Sequence, residues 1–322
     1  MRFTRFIMLA GLSLVTVNSA YAQSAWPDRP IRFIVTSAAG GGIDLMARIL
    51  AEGLSRHLPK PVIVENNGGA GGLVATRMVA KADPDGYTFL FQGPGYAALP
   101  YIHRHPGYDV SKDFASVSLV TRYPLVLITN PALPAKTLAE FIALAKASPG
   151  KYTFGSSGIG GASHIPLEAL KQQAGIDMIH VPFRGSGQTT AALVAGQIDL
   201  TIDGLAPQLG NIRTGRVQAL AVSTRGRASE MPDIAAMNET LPGFEYPMWV
   251  AVFAPGSTPK PIVDKMSAAI AAAVKEPTVT KRYGDLMVDI VGSTPPELDK
   301  FVEEQLRVNK AIIEKAGIQA GD

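Results

Sequence analysis

Two glycine-rich segments are the residues best suited to chemistry in this sequence. They are Ser37-Ala38-Ala39-Gly40-Gly41-Gly42 and Gly155-Ser156-Ser157-Gly158-Ile159-Gly160-Gly161. Each follows a short apolar run and precedes an amphipathic one, so each is predicted to open a helix. The first N–H groups of a helix lack intrahelical partners, and the helix dipole adds about half a positive charge there. A single loop of this kind is better explained by a tight turn, but two loops in matching positions favour an anion site.

Neither segment forms a nucleotide-binding motif. No Gly-Lys-Ser/Thr follows Gly40-Gly41-Gly42, so the first segment is not a phosphate loop. In the second, Ser163 stands where the dinucleotide fingerprint requires its third small residue, and no acidic partner ends the next strand. The pattern therefore predicts a small anion such as a carboxylate.

Four polar side chains near these loops each have two interpretations. Asp44 either interacts with the helix dipole or holds the loop amides. We expect its carboxylate to point into the loop, because it would repel an anion if it faced the site. His164 begins the second helix, where a neutral ring is expected, and it donates to ligand or loop or is merely structural. Arg184 pairs with an anionic ligand or lies in solvent. Asp203 accepts a ligand N–H or O–H, or caps the next turn.

Motifs for catalysis and metal binding are missing from the sequence. There is no G-x-S-x-G elbow, no H-E-x-x-H and no cysteine. His103 and His105 form an isolated His-x-His without a third ligand, so we expect them on a surface loop. These observations predict no enzyme activity, no metal and no cofactor. A periplasmic hydrolase or isomerase on the same fold is the alternative, and it would require an aligned nucleophile and base.

The elements that position the loops occur twice. A strand–loop–helix–strand–loop–helix–strand order runs over residues 31–91 and returns about 120 residues later, over residues 151–202. Strands that alternate with helices predict parallel sheets with helices on both faces. Right-handed crossovers collect the loops at one sheet edge, which is where open α/β sheets bind ligands. Two units therefore present two sets of loops that can face each other across a cleft.

Two apolar strand-like segments, residues 123–129 and 246–253, connect these units. Two passes between domains make the first domain discontinuous. We predict domain 1 from residues 23–124 plus 249–322 and domain 2 from residues 125–248. A helix over 262–275 and another from the capping box Thr294-Pro295-Pro296-Glu297 to Gly317 complete domain 1. The predicted fold class is α/β, with two domains and two crossover strands.

The N-terminus has the layout of a cleavable secretory signal. A basic start precedes the apolar residues 6–17 and the A-x-A site Ala20-Tyr21-Ala22. The apolar stretch is too short to span a bilayer comfortably, although an uncleaved anchor is the alternative. We therefore predict a signal peptide over residues 1–22 and a periplasmic protein. A net charge of +3 without any basic block argues against a nucleic-acid partner.

Several motifs resemble the Bug-type (TctC-like) solute receptors of tripartite tricarboxylate transporters. They are AAGGGID in the first loop, VENNGGAGG at 64–72, PDGYTFLF at 84–91, FGSSGIGGASH at 154–164, VPFRGSGQ at 181–188 and GQIDLTID at 196–203. The resemblance implies a type II-like Venus-flytrap binding protein whose segments 36–42 and 156–163 grip a ligand carboxylate, partly through water. It also implies delivery to a membrane permease with one large and one small subunit. A sensor for a membrane kinase is the alternative, and we expect a monomer.

The usual first loop of that family is roughly PFPAGGGTD, and this sequence departs from it. Thr36, Ser37, Ala38 and Ile43 replace Pro, Phe, Pro and Thr. The missing aromatic at Ser37 should enlarge the pocket or make it more polar, which leaves room for a bulkier acid, aromatic acids included. The residues expected to contact ligand are Ser37, Ala38, Ala39, Gly40, Gly41, Gly42, Asp44, Gln92, Ser156, Ser157, Gly158, Gly161, Ala162, Ser163, His164, Phe183, Arg184 and Asp203.

Overall fold

Two mixed β-sheets organise the chain in the computed structural model, which describes residues 26–229 and 231–319. The predicted signal peptide lies outside these residues. The strands are β1 (Ile31–Val35), β2 (Val62–Asn66), β3 (Thr88–Gln92), β4 (Phe114–Tyr123), β5 (Leu125–Thr129), β6 (Thr153–Ser156), β7 (Ile179–Pro182), β8 (Leu200–Gly204), β9 (Gln218–Val222), β10 (Met248–Pro255) and β11 (Asp289–Ile290). One sheet has the order β11-β4-β10-β3-β1-β2 and the other the order β7-β6-β8-β5-β9. We call the units around them the first and second domain.

Helices pack around both sheets. They are α1 (Gly42–Leu54), α2 (Leu73–Ala80), α3 (Gly95–Ile102), α4 (Leu138–Ala147), α5 (His164–Ala174), α6 (Ser186–Val194), α7 (Leu205–Arg213), α8 (Met237–Thr240), α9 (Lys260–Ala273), α10 (Pro277–Asp285) and α11 (Pro295–Ala316), with a 3-10 helix at Gly69–Gly72. The two-domain α/β class is confirmed. Among the described residues, no helix combines the length and apolarity needed to cross a bilayer.

The strand directions differ from the prediction of parallel sheets. β1 runs parallel to β2 and β3, and β6 runs parallel to β7 and β8, as the repeated strand–helix order predicts. However, β10 is antiparallel to β3 and β4, and β5 is antiparallel to β8 and β9. These strands lie beside the connections between the domains. The chain leaves the first sheet along β4 and returns along its neighbour β10, so the two must run in opposite directions.

The links between domains are short and strand-like. The predicted strand over 123–129 is divided at Pro124, with β4 in the first sheet and β5 in the second. On the return pass, Met248 is paired with Tyr123 in the antiparallel ladder. The two crossings therefore lie side by side, which is the arrangement a hinge needs.

The sequence patterns account for the packing of the main helices. The apolar face of α1, which includes Met46, Leu50 and Leu54, is buried. Full burial of each such side chain contributes about 1.5–3 kcal/mol to the free energy of unfolding. At the start of α11, the Thr294 N–H donates to the Glu297 carboxylate at 2.8 Å, as expected for a capping box, and the Thr294 hydroxyl donates to the same carboxylate at 2.8 Å.

Helix α11 contacts both domains. Leu298 and Val302, in its first half, pack in a cluster of the first domain. Ile312 and Ile313, near its end, pack in the core of the second domain. The predicted boundaries at 124/125 and 248/249 stay a prediction, because this helix belongs to both units.

Candidate functional site

The first glycine loop (residues 36–42) joins β1 to α1 and is held by its own hydrogen bonds. The Gly41 N–H donates to the Ala38 carbonyl at 3.2 Å, and the Gly40 N–H donates to Asp44 Oδ2 at 2.7 Å. Gly40 has a φ of 81°, a conformation that favours glycine. The N–H groups that begin α1 have no intrahelical partner, and they form the end of the loop.

The second glycine loop (residues 156–163) repeats this geometry at an offset of 120 residues. The Gly161 N–H donates to the Gly158 carbonyl at 3.1 Å, and the Gly160 N–H donates to His164 Nδ1 at 2.9 Å. Gly160 has a φ of 70°. His164 therefore anchors the second loop as Asp44 anchors the first, each from the first turn of a helix. The sequence signal for this correspondence is the spacing of the two glycine runs.

Asp44 points into its loop, as expected. Its carboxylate lies 3.0 Å from Arg48 Nε and accepts the Asn66 amide at 2.9 Å. Burial by itself would raise the pKa of Asp44, but the hydrogen bonds from Arg48, Gly40 and Asn66 lower that pKa below its ordinary value. The side chain is 2% exposed, so its negative charge is compensated by these partners within the loop and does not face the space between the domains.

His164 is a neutral ring, also as expected. Burial, together with the nearby His180 and Lys171, lowers the pKa of His164 to about 3. Because Nδ1 accepts the Gly160 N–H, the ring proton is on Nε2. The His180 ring stacks on His164 with 3.8 Å between centroids, and its Nε2 lies 2.6 Å from Ser156 Oγ. His180 was not among the expected site residues, yet it supports the loop from behind.

A serine pair fixes the other end of the second loop. Ser163 Oγ accepts the Ser157 N–H at 2.8 Å and donates to Ser157 Oγ at 3.1 Å. Ser163 is buried and Ser157 is partly exposed toward the space between the domains. The pair therefore presents a hydroxyl beside the N–H groups that begin α5.

Both loops border a cavity of about 630 Å³ between the domains, which we call cavity A. The expected site residues in its wall are Ser37, Gly42, Ser157, Ala162, Ser163 and Asp203. Its other walls were not expected from the sequence; they include Ile43, Met46, Tyr123, Leu125, Ser186, Thr190, Gln208, Asn211, Met248, Leu286, Met287 and Val288. Among the described residues of this wall there is no Lys, Arg or His.

Asp203 is the carboxylate of cavity A. It accepts the Gln208 amide at 2.7 Å and the Gly204 N–H at 2.9 Å. Burial raises the pKa of Asp203 above its ordinary value despite hydrogen bonds from Gln208, Gly204 and Ser186. A carboxylate in this setting suits a ligand N–H or O–H better than a second anion.

A second, adjoining cavity of about 420 Å³, cavity B, shares Ile43, Ala162 and Met248 with cavity A. Gln92 and Gly161 of the expected set lie in its wall. Gln92 is 1% exposed, and its Oε1 accepts the Thr76 hydroxyl at 2.9 Å. His103 lies in the loop after α3, is partly exposed and also lines this cavity, while His105 in the same loop is exposed.

The remaining expected residues do not line either cavity. Ala38, Ala39, Gly40, Gly41 and Gly158 shape the loops. Asp44, Ser156 and His164 act from behind them through the hydrogen bonds described above. The Arg184 side chain is exposed and Phe183 is partly buried, and neither side chain belongs to a cavity wall. In the part of the chain that the structure describes, no group of three His, Cys, Asp or Glu could hold a metal.

Comparison with known proteins places this geometry in a family. Residues 46–318 match the family described as TctC, tripartite tricarboxylate transporter family receptor. The periplasmic binding protein BugD is 33% identical, with a TM-score of 0.78 over 91% of this chain and 99% of that one. Rpa4515 of R. palustris, described with adipate, is 30% identical, with a TM-score of 0.80 over 91% and 99%. MatC of Rhodopseudomonas palustris, described with bound malate, is 31% identical, with a TM-score of 0.78 over 89% and 100%.

Proposed function

The chain belongs to the Bug-type, TctC-like family of tripartite tricarboxylate transporter receptors, and on this premise we propose that it captures a small carboxylate between its two domains. The observation that carries the proposal is the pair of equivalent loops at the starts of α1 and α5, which border one cavity. Rpa4515 and MatC, described with adipate and malate, support a carboxylate as the ligand class.

The chemistry of the loops suits a carboxylate. The N–H groups of Gly42 and Ile43 at the start of α1 and those of Ala162 and Ser163 just before α5, with the Ser157 hydroxyl, offer several donors to one ligand group. Hydrogen bonds from such donors to an ionised acceptor are about twice as strong as neutral ones. The nearby anion Asp44 is paired with Arg48 and His164 is uncharged, so neither anchor adds a free charge at the loops.

Binding, rather than catalysis, is the function that these contacts support. The contact of 2.6 Å between Ser156 Oγ and His180 Nε2 is of the kind a hydrolase would need. However, Ser156 has no exposed surface, lies 3.1 Å from the Gly158 carbonyl as a donor and lines neither cavity. Its hydroxyl therefore supports the loop instead of facing a substrate. We propose a receptor without enzymatic activity.

The cellular setting follows from the same proposal. The signal peptide over residues 1–22 would export the chain to the periplasm, where a free receptor could meet its ligand. The partner would be a membrane permease of the tripartite tricarboxylate class with one large and one small subunit. Closure of the domains around the ligand would then distinguish loaded from empty receptor.

A melting screen tests the carboxylate grip. The probes are acetate, benzoate, 3-phenylpropionate, adipate and malate, each compared with its amide. A ligand at about one hundred times its dissociation constant raises the free energy of unfolding by about 2.7 kcal/mol, which is a shift of a few degrees for a chain of this size. The amide loses the charge and leaves loop donors poorly satisfied, at about 1–3 kcal/mol each. An amide that shifts the melting point as much as its parent acid would overturn the grip.

A further inference from the structure

The end of α10 holds a side chain in an unusual backbone conformation. The Met287 N–H donates to the Gly284 carbonyl at 2.9 Å, and the Val288 N–H donates to the Tyr283 carbonyl at 3.3 Å. This pair of bonds is the Schellman motif, which requires a left-handed residue just after the helix. Here that residue is Met287, with a φ of 54°. Left-handed backbone is unfavourable for residues with a Cβ atom.

Three other helices of this chain have glycine at the left-handed position of the same motif. The matching pair of hydrogen bonds closes α6 at Gly196, α7 at Gly215 and α11 at Gly317. Those glycines have φ values of 71°, 69° and 64°. Within the described residues, α10 is the helix that closes this motif with a side chain. Strained residues of this kind cluster at functional sites.

The Met287 side chain lies between the two domains. It belongs to the segment between α10 and β11 of the first domain, and it lines cavity A. It also packs against a core cluster of the second domain that includes Val126, Ile128 and Leu205. A glycine at this position would remove the Met287 side chain from the wall and leave Leu286 and Val288 on that side of the cavity.

Apolar side chains form a large part of the cavity A wall, beside the polar residues Ser186, Thr190, Gln208 and Asn211. Met46 and Met248 line it together with Ile43, Leu125 and Leu205. Methionine side chains adapt to irregular shapes and make favourable contacts with aromatic rings. Asp203 is a carboxylate of this wall and no Lys, Arg or His lies in its described part, so the wall holds no positively charged side chain to pair with a second ligand carboxylate. A ligand whose one carboxylate is held by the loops would place its apolar body in the remaining space.

We propose that Met287 is a specificity-determining residue, and that cavity A selects monocarboxylic acids with a bulky apolar body, aromatic acids above all. This inference rests on the proposed function, because it assumes that the two loops hold the ligand carboxylate. Met287 then acts as the wall that closes on the ligand body when the domains approach each other.

The experiment compares Met287→Gly and Met287→Ala with the wild type. Calorimetry measures binding of 3-phenylpropionate and acetate, and thermal unfolding without ligand measures stability. Both variants should bind 3-phenylpropionate at least about tenfold more weakly, which is about 1.4 kcal/mol, and acetate as well as the wild type does. Met287→Gly should melt a few degrees above Met287→Ala, because only glycine relieves the left-handed backbone.

Gly215→Ala is the matched control. It places a Cβ at the same motif position of α7, where nothing lies within 4 Å. It should lower the melting point by an amount similar to the Gly–Ala difference at position 287, with ligand affinity unchanged.

Two outcomes separate the inference from the function on which it rests. If none of the five acids of the screen shifts the melting point of the wild type, the proposed carboxylate function itself fails. If acids bind but both Met287 variants bind 3-phenylpropionate as tightly as the wild type, Met287 is only a structural residue and the inference alone is overturned. Tighter binding of malate than of 3-phenylpropionate by the wild type would also overturn it.

Discussion

Mild acid should destabilise this protein through His164 and His180. The two rings are stacked, and each makes a hydrogen bond that holds the second loop in place. Burial lowers the pKa of His164 to about 3, and burial with the charge of Lys171 lowers the pKa of His180 to about 4. Glu168, whose Oε1 lies 3.8 Å from His164 Nε2, and Lys171 are the charged groups beside them.

The size of the effect follows from the unfolded chain. An unfolded histidine has a pKa of about 6.5, so it takes up a proton between pH 7 and pH 5.5 while the folded rings stay neutral. Proton uptake by the unfolded state lowers the free energy of unfolding as the pH falls. Integrated over this window, each ring contributes about 1 kcal/mol and the pair about 2 kcal/mol. Because both folded pKa values lie below the window, the result does not depend on how far they are lowered.

Urea unfolding at several pH values between 7 and 5.5 measures this dependence. His164→Asn keeps an acceptor for the Gly160 N–H and His180→Gln keeps a polar group near Ser156, so each should fold and remove about half of the pH dependence. The pKa of Asp203 is raised in the folded protein, so protonation of this group stabilises the folded state as the pH falls, which opposes the effect of the histidines. The urea series is therefore repeated with Asp203→Asn. The reasoning would be refuted by a wild-type free energy of unfolding that stays constant between pH 7 and pH 5.5. It would also be refuted if both histidine variants kept the full pH dependence of the wild type.

Three further predictions concern the grip, the closure and the export. Gly41→Asp should weaken carboxylate binding by more than about 100-fold, since two like charges about 4 Å apart repel by a few kcal/mol near a protein surface, whereas Gly41→Asn, which adds a similar side chain without the charge, should weaken binding much less; calorimetry on both variants decides. Both variants should fold, because Gly41 has a φ of −74° and Asp and Asn are favoured at this position before a helix. Saturating ligand should reduce the radius of gyration in small-angle scattering, and an unchanged radius would contradict closure about the two crossings near Pro124 and Met248. N-terminal sequencing of the periplasmic protein should begin at or near Gln23, and retention of Met1 on a membrane-bound form would contradict export.

The glycine loops could be predicted because their signal is local. A strand, a glycine run and a helix start are neighbours in sequence, so the backbone geometry near Gly40 and Gly160 is encoded within a few residues. The roles of Asp44 and His164 follow from the same short range, since each bonds to the N–H four residues before it.

Residues that arrive at the cleft from distant segments could not be predicted. Met287 and Met248 come from the C-terminal part of the chain, and their place in cavity A depends on the return of β10 to the first sheet. The antiparallel direction of that return has no local signature. Arg184 shows a related limit, because the sequence places it in a loop near the cleft but leaves open whether its side chain pairs with a ligand or lies in solvent. Its N–H bonds to Gln188, and the guanidinium remains exposed.

The duplicated anchor makes the two halves of the cleft separable for engineering. Each loop is secured by a hydrogen bond within its own segment, Gly40 to Asp44 and Gly160 to His164, and neither anchor relies on the other domain. A designer could therefore transplant residues 37–44 or 157–164 from a relative with another ligand spectrum and keep the opposite loop. Such chimaeras would form a modular set of biosensors in which one half of the receptor is diversified while the other is held constant.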